Sequence, residues 1–146
     1  MISLRPYRKT DFRLINRYCS KKEINSYINM GGYLILSLLG IYRSFFRLLV
    51  DGEKLLGCGV IRWKWSKDTY CFGWWLYGIW INFDCRGQGL GVVLMEKLFE
   101  ELRRKNVRYV HLIVSNNNSI AINLYNKLGF ITIKENDTYK VMRYEL

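Results

Sequence analysis

The clearest pattern in the sequence is a helical repeat of leucines. From Leu90 to Leu102 a leucine recurs every four residues, and most of the positions on the other face are charged. Because residues four apart share one face of a helix, this spacing predicts an amphipathic helix that packs its leucine face against a core. A shorter apolar repeat over residues 120–128, followed by Gly129, predicts a second such helix with a left-handed glycine cap.

Seven shorter runs rich in β-branched and aromatic residues predict strands. They cover residues 2–5, 45–50, 54–65, 70–81, 108–114, 130–134 and 138–144. Asp51-Gly52 separates the second run from the third and is a strong hairpin signal, because this pair fits the tight turn between antiparallel strands.

Two further helices are predicted in the first third of the chain. Thr10 or Asp11 offers a cap for a helix running towards Cys19, and Ser20 offers a cap for the next one. The order of elements predicts a mixed α/β (α+β) fold in a single domain over residues 1–146. A parallel crossover is expected around residues 82–107.

The chain carries a large positive charge, with 23 Lys and Arg against 12 Asp and Glu, for a net +11 in 146 residues. Residues 1–73 hold 13 basic and 5 acidic residues, a net +8, whereas residues 74–146 hold 10 and 7, a net +3. Such an excess favours anionic partners, whether nucleic acid, nucleotides, a membrane surface or acidic substrates, and disfavours a polycationic substrate.

The thiols and the single histidine do not suggest a metal site. Four cysteines, at positions 19, 58, 71 and 85, form no Cys-x-x-Cys pair, and His111 is the only histidine. A zinc site needs such ligands at short spacing, so no metal is expected. The start of the chain lacks the apolar run of a secretory signal, so we expect reduced, mostly buried thiols in a cytoplasmic protein.

The stretch 24–42 carries no charge, which raises the question of a membrane helix. Its continuous apolar part, residues 33–39, is far shorter than the roughly 20 residues that a span requires. We therefore expect no membrane contact. The stretch is expected to be a buried or lid segment, or alternatively an apolar wall for an acceptor or a partner.

The segment after the fourth predicted strand carries the candidate chemistry. Arg86-Gly87-Gln88-Gly89-Leu90-Gly91 forms a glycine-rich turn that leads directly into the leucine-patterned helix. The first turn of a helix has unpaired N–H groups and a dipole that favours anions, and glycine lets a phosphate approach the backbone closely. The turn lacks the Gly-Lys-Ser/Thr ending of a Walker loop, and Val92 stands where a dinucleotide fingerprint needs its third glycine. The pattern Arg-x-x-Gly-x-Gly remains, beside the alternative of a turn that binds no ligand.

A second block lies downstream of this turn. The first block is Arg86-x-x-Gly89-x-Gly91. The second block is Asn118-x-x-Ala121 followed by Leu124-Tyr125-x-x-x-Gly129-Phe130. The chain also opens with Leu4-Arg5-Pro6 and Asp11. In this order and separation they resemble the GNAT superfamily of N-acetyltransferases over most of the chain. The resemblance implies a central mixed sheet of six to seven strands, split between strands 4 and 5 and flanked by about four helices.

The resemblance also implies where acetyl-CoA, the acyl donor, would bind. It would lie in the split between strands 4 and 5, with its pyrophosphate on the backbone N–H groups from Arg86 to Val92. The edge of strand 4 would pair with the pantetheine arm, and the N–H of Ile79 would face the thioester oxygen. Tyr125 would protonate the departing sulfur, a role that a phenol with a pKa near 10 can fill. The implied cofactor-binding residues are Ile79, Trp80, Ile81, Arg86, Gly87, Gln88, Gly89, Leu90, Gly91, Val92, Asn118 and Tyr125, and the implied catalytic residues are Tyr125 and Ile79.

Some roles stay open at the level of sequence. Asn118 is as well suited to capping a helix as to contacting the cofactor, and Tyr125 has the alternative of a core aromatic. Some members of the family place a glutamate base on strand 4, but Trp75 holds that position, and no acid or histidine lies between residues 70 and 83. Water, Tyr77 or an already deprotonated amine could replace the base.

Other titratable residues are expected to do structural work. His111 lies in an apolar run and is expected to be a core or cofactor-side histidine rather than a base. The carboxylates of Asp51, Glu53 and Asp68 fall in predicted turns and are expected to be solvated.

These observations favour an acetyl-CoA-dependent N-acetyltransferase that acts on a primary amine of a small molecule. The basic, aromatic first half has few carboxylates to hold a cationic acceptor, so a neutral or anionic amine is expected, such as an amino sugar or an amino acid derivative. The alternatives are acetylation of a protein N-terminus or lysine, and a catalytically silent module that binds nucleic acid or ribosomal partners through its basic charge and its tryptophans. Either a monomer or a homodimer is compatible with the sequence.

Overall fold

The computed structural model describes residues 1–18 and 43–146. Its strands are β1 (Ile2–Pro6), β2 (Ser44–Asp51), β3 (Lys54–Ser66), β4 (Cys71–Ile81), β5 (Tyr109–Ser115), β6 (Ile131–Glu135) and β7 (Tyr139–Glu145). Its helices are α1 (Phe12–Tyr18), α2 (Leu90–Arg104) and α3 (Ser119–Leu128), with 3-10 turns at Lys9–Asp11 and Phe83–Cys85. The seven predicted strands and the predicted helices of the described regions are confirmed, with ends shifted by one or two residues. The predicted helix from Ser20, the stretch 24–42 and the thiol of Cys19 lie outside the described residues.

All seven strands belong to one sheet in the order β1-β2-β3-β4-β5-β7-β6. Every neighbouring pair is antiparallel except β4 and β5, which run parallel and are joined through α2. These two strands pair only at Trp74–Val110 and Trp75–His111, so they separate beyond this point. Within the described residues, β5 therefore pairs with β4 only at these two positions and diverges from it further along, which confirms the predicted split sheet.

A bulge interrupts β4 just beyond the point where the split opens. Cys58 pairs with Trp80 and Val60 pairs with Tyr77, so Gly78 and Ile79 together oppose the single residue between Cys58 and Val60. Gly78 has a φ of +54°, a conformation that side chains disfavour and glycine accepts. Because an extra residue bends a strand and increases its twist, the bulge changes the direction of β4 in the part that lies beyond its pairing with β5.

The main core lies between the sheet and α2. The leucine face of α2 is buried, as its spacing predicts, and the side chain of Phe99 stacks on Tyr144 of β7 with ring centroids 4.4 Å apart. Each large apolar side chain that is fully buried in this way contributes about 1.5–3 kcal/mol to the free energy of unfolding. A smaller cluster on the opposite face of the sheet joins Leu48, Val50 and Trp80 to Leu14 and Ile15 of α1. The sheet thus holds α1 on one face and α2 on the other.

The side chain of Asp68, in the turn between β3 and β4, contacts the last two strands. Asp68 was expected to be solvated, but its side chain is only 6% exposed. Its Oδ1 accepts hydrogen bonds from Lys134 Nζ and from the Tyr139 hydroxyl, each at 3.1 Å. Burial tends to raise the pKa of this carboxyl, but the two hydrogen bonds outweigh burial and hold the pKa below its ordinary value. Asp51, whose side chain is half exposed, agrees with the expectation.

Asp11 is the buried anchor of the N-terminal region. Arg5 donates two hydrogen bonds to its carboxylate, at 2.7 and 2.8 Å, and the backbone N–H of Arg8 donates a third at 2.7 Å. This forked pairing fixes the entry into α1 relative to β1, because a guanidinium and a carboxylate match in plane and spacing. No helix in the described parts of the chain is long and apolar enough to cross a membrane.

Candidate active site

The glycine turn begins at a buried asparagine that the sequence analysis did not single out. Asn82 follows β4, is 2% exposed and donates from Nδ2 to the carbonyl of Leu55 at 2.9 Å. Its backbone N–H bonds the carbonyl of Leu56, and its Oδ1 accepts from the N–H of Asp84 at 3.3 Å. These contacts tie the start of the turn to β3. The only signal in the sequence was a polar residue directly after an apolar strand.

Two glycines of the turn lie in the left-handed region of the backbone, a feature that was not predicted. Gly87 and Gly89 have φ values of +77° and +74°, and Gly89 is the N-terminal cap of α2. A β-carbon at either position would meet no atom of the described residues within 4 Å, so the backbone conformation is the reason within the fold for a glycine there.

Five consecutive backbone donors remain available in the turn. The N–H groups from Gly87 to Gly91 donate to no backbone carbonyl of the described chain. The predicted set was wider, running from Arg86 to Val92, but its two end members already have partners. The N–H of Arg86 donates to Phe83 at 3.2 Å and that of Val92 to Gly89 at 3.0 Å. The available donors therefore concentrate at the first turn of α2, where the helix dipole favours an anion.

The side chain of Arg86 also belongs to the scaffold of the turn. Its Nε donates to the carbonyl of Ile81 at 3.0 Å, and its guanidinium lies over the ring of Phe83 with the carbon 5.4 Å from the centroid. In this arrangement the arginine closes the turn between β4 and α2.

Gly91 has a packing role that was not predicted. It lies inside α2, and a β-carbon there would stand 3.1 Å from Cδ2 of Leu124; its role in letting a phosphate approach the backbone stays a prediction. The missing side chain therefore lets α2 and α3 pack closely, whereas Gly87 and Gly89 shape the anion-facing turn. Its N–H still belongs to the row of available donors.

The β4 residues implied for the cofactor turn their side chains into the two cores. Ile79 and Ile81 pack against the main core, and Trp80, 6% exposed, lies in the smaller cluster with α1. These three residues are at or beyond the bulge, in the part of β4 that lies beyond its pairing with β5. What they offer to a molecule in the split is therefore the main chain.

Tyr125 lies on α3, the helix that follows β5, and is buried. It borders the same main core as Ile79, and its ring is 5.6 Å from that of Phe130. Burial raises the pKa of Tyr125 to about 12, so the phenol is protonated at neutral pH and available as a proton donor. Asn118 caps α3, since its Oδ1 accepts from the N–H of Ala121 at 3.1 Å, so the capping role is confirmed. A contact of Asn118 with a cofactor stays a prediction.

His111 and Trp75 lie together where the split closes. Their rings stack with centroids 5.0 Å apart, and Trp75 is fully buried. The Nδ1 of His111 is 3.3 Å from the carbonyl of Trp74, a geometry in which the ring N–H donates. Burial lowers the pKa of His111 and the charge of Arg143 lowers it further, so the ring is neutral at pH 7. The residue bridges β4 and β5, in agreement with a core or cofactor-side histidine.

A cationic and aromatic surface lies on the α1 face of β3 and β4. The guanidinium carbon of Arg62 is 5.2 Å from the ring centroid of Tyr77, and Lys64 Nζ is 4.7 Å from that of Trp75. Burial lowers the pKa of Lys64, and the charge of Arg62 lowers it further. The described part of β4 and its neighbour β3 thus present positive charge beside the closed end of the split.

The sequence was compared with known proteins. The model of the acetyltransferase (GNAT) family matches residues 18–130. A mycothiol acetyltransferase of Actinosynnema mirum is 34% identical over 95 residues, which are 64% of this chain and 30% of that protein. A [ribosomal protein bS18]-alanine N-acetyltransferase of Escherichia coli K12 is 41% identical over 63 residues, which are 42% of this chain and 43% of that protein. The chain thus spans less than half the length of these curated relatives.

Solved structures share the fold. The PaiA N-acetyltransferase of Thermoplasma acidophilum, solved in complex with coenzyme A, aligns with a TM-score of 0.77 at 14% identity, covering 100% of this chain and 99% of that one. The family match extends over most of the chain and includes both the glycine turn and Tyr125. The chain therefore belongs to the GNAT family of acetyltransferases.

Proposed function

We propose that the protein is an N-acetyltransferase that transfers an acetyl group from acetyl-CoA to a primary amine by direct attack in a ternary complex. The observation that carries this proposal is the row of five available N–H groups from Gly87 to Gly91, placed at the N-terminus of α2 and beside the edge of β4 that lies beyond its pairing with β5. A pyrophosphate needs such a cradle and an extended pantetheine arm needs such an edge, so the residues present fit acetyl-CoA.

The roles of the chain follow from this arrangement. The N–H groups of the turn would bind the pyrophosphate, and the main chain of β4 would orient the arm. The N–H of Ile79 at the bulge would stabilise the negative charge that develops on the thioester oxygen. As the C–N bond forms and the C–S bond breaks, Tyr125 would give its proton to the departing sulfur, and the proton of the amine would leave to water or to Tyr77.

We propose a neutral or anionic small molecule as the acceptor. Arg62 and Lys64 lie on the α1 face of the sheet, next to the closed end of the split. Both belong to residues 1–73, the half of the sequence that carries a net charge of +8. A cationic acceptor would be repelled there, because few carboxylates face these groups. Amino sugars bearing phosphate and amino acid derivatives fit this description.

A second acceptor class has an observation of its own. One curated relative acetylates, by its name, the alanine of a ribosomal protein, and its 41% identity covers 63 residues of this chain. Acetylation of a protein N-terminus is therefore the alternative. The free thiols of Cys71 and Cys85 fit a reducing compartment, so we place either reaction in the cytoplasm.

The test has two stages. Calorimetric titration with acetyl-CoA should give saturable binding at one site per chain. A panel of amines is then tested as acceptors, with acetyl transfer followed by the release of the free CoA thiol. Phosphorylated amino sugars and acidic amino acids should react faster than aminoglycosides and polyamines. Peptides that begin with alanine test the alternative, acetylation of a protein N-terminus. Preference for the polycations would refute the proposed acceptor class, and absence of acetyl-CoA binding would refute the donor.

A further inference from the structure

A cavity that the proposed reaction does not use opens at the closed end of the split. It has a volume of about 470 Å³ and lies between the first residues of β4, the connection from α2 to β5, and Arg143 of β7. The glycine turn follows the opposite end of β4. None of the twelve lining residues is among those implied for acetyl-CoA, so the cavity is a separate feature of the surface.

One wall of this cavity is aromatic. Trp63 stacks on Phe72 with a centroid separation of 6.3 Å and an interplanar angle of 13°, and meets Trp74 edge to face at 5.4 Å. Phe72 remains 61% exposed although it is part of this ladder. An exposed aromatic that continues a stacked ladder offers a flat apolar face to a planar ligand.

Another part of the lining is cationic. Lys105, Arg108 and Arg143 belong to it, and no Asp or Glu is among the described residues that line the cavity. The guanidinium carbons of Arg108 and Arg143 lie 4.9 and 4.8 Å from the centroid of the same ring, that of Tyr109. Glu145, 3.3 Å from Arg108 Nε, is a carboxylate outside the cavity that offsets part of this charge.

The cationic part of the lining acts on a buried histidine. His111 is 8% exposed and lines the cavity, and burial lowers its pKa, which the positive charge of Arg143 lowers further. Like charges gathered around one concave space repel each other, and an anion in that space would relieve the repulsion.

From the aromatic wall, the three cations and the absence of lining carboxylates, we propose that this cavity binds a small planar anion. The aromatic ring of the ligand would lie against Phe72 and Trp63, and its carboxylate or phosphate would face Lys105, Arg108 and Arg143. The site would be independent of acetyl-CoA, because the two sets of residues do not overlap.

The test uses two planar anions, salicylate and uridine 5′-monophosphate. Salicylamide is the neutral control for salicylate, and uridine is the neutral control for uridine 5′-monophosphate. Binding is measured by calorimetry with CoA at saturation, so that the cofactor site is filled. The expected result is one site per chain for at least one of the anions, with affinity at least about tenfold above that of its neutral counterpart. The same ligand should slow alkylation of the exposed Cys71, which lines the cavity, as followed on its own peptide by mass spectrometry.

Five variants locate the site. Phe72→Ala and Arg143→Gln should each weaken binding about tenfold, and the exposed Lys105→Gln serves as a second charge variant should Arg143→Gln fail to fold. Tyr70→Asn and Lys54→Gln remove an exposed aromatic and an exposed charge outside the cavity, so they should leave binding unchanged.

The proposal would be overturned by no binding of either anion, by equal binding of the neutral counterparts, or by binding that the Phe72 and both charge variants leave intact. Competition between the anion and CoA would also overturn it, because it would place the ligand in the cofactor site. The first stage needs no acetyl transfer, so failure here leaves the proposed function standing.

Discussion

A pair of glycine substitutions separates the backbone cost of the glycine turn from its role in binding. Gly89 in the turn and Gly52 in the β2–β3 hairpin both have a positive φ, +74° and +58°, and a β-carbon added to either meets no atom within 4 Å. Gly89→Ala and Gly52→Ala therefore introduce the same kind of strain and no steric clash.

The magnitude follows from two opposing terms. An L-residue in the left-handed region costs about 1–2 kcal/mol, and replacing glycine lowers the entropy of the unfolded chain, which returns about 0.4–1 kcal/mol. Each variant should thus lose about 1 kcal/mol in the free energy of unfolding, measured by urea denaturation, with an unchanged slope against denaturant.

Binding of acetyl-CoA should distinguish the two variants. At Gly89 the added methyl group enters the open space beside the five donors, and losing even one hydrogen bond to a charged phosphate costs about 1.5–3 kcal/mol. Gly89→Ala should therefore weaken acetyl-CoA at least about tenfold in calorimetry, and Gly52→Ala should not change the Kd. Equal affinities for the two variants would refute the assignment of the turn as the pyrophosphate site.

Three further predictions concern proton transfer and stability. Tyr125→Phe should lower kcat by about 100-fold or more with the Kd for acetyl-CoA unchanged, and undiminished turnover would remove the phenol from the mechanism. Because burial raises the pKa of Tyr125 to about 12, kcat/KM should rise with pH as the amine deprotonates and reach a plateau, and a fall below about pH 10 would contradict this. Asp11→Asn should lower the free energy of unfolding by about 2 kcal/mol at pH 7, measured by denaturant unfolding. Hydrogen bonding to Arg5 lowers the pKa of Asp11 in the folded state, so this difference is fully present above the pKa of the unfolded state and should vanish as the pH falls through the pKa of the folded state. A difference that does not depend on pH would argue against the ion pair.

Local patterns were sufficient to predict most of the architecture. The leucine spacing of α2, the Asp51-Gly52 hairpin and the cap at Gly129 each depend on residues close together in the sequence, and all three appear in the structure. The split between β4 and β5 came from the family resemblance, since no local pattern specifies which edge of a strand stays unpaired.

Contacts between distant residues account for what the sequence did not show. Asp68 lies in a turn and has every local mark of a solvated residue, yet its partners Lys134 and Tyr139 are 66 and 71 positions away. The packing of Gly91 against Leu124 likewise joins two helices that are separated by β5. In both cases the tertiary structure, rather than the local sequence, decides the environment of the residue.

For the same reason, neither the bulge in β4 nor the cavity at the closed end of the split was predicted. Gly78 carries the positive φ of the bulge, but a single glycine in a strand does not reveal which neighbour it opposes. The cavity joins residues of β3, β4, β5 and β7 that only the folded sheet brings together. Its basic residues were counted in the sequence, but their convergence on one space was not visible there.

Direct transfer from acetyl-CoA to an amine is the central claim of this account. The measurement that tests it is a rapid-quench experiment with acetyl-labelled CoA, run with and without the best amine of the panel, in which label on the amine and label on the protein are counted separately. We expect label to appear on the amine at the rate of thiol release and none to be held by the protein when the amine is omitted. Label retained on the protein in the absence of amine, or no transfer to any amine although acetyl-CoA binds, would contradict the account.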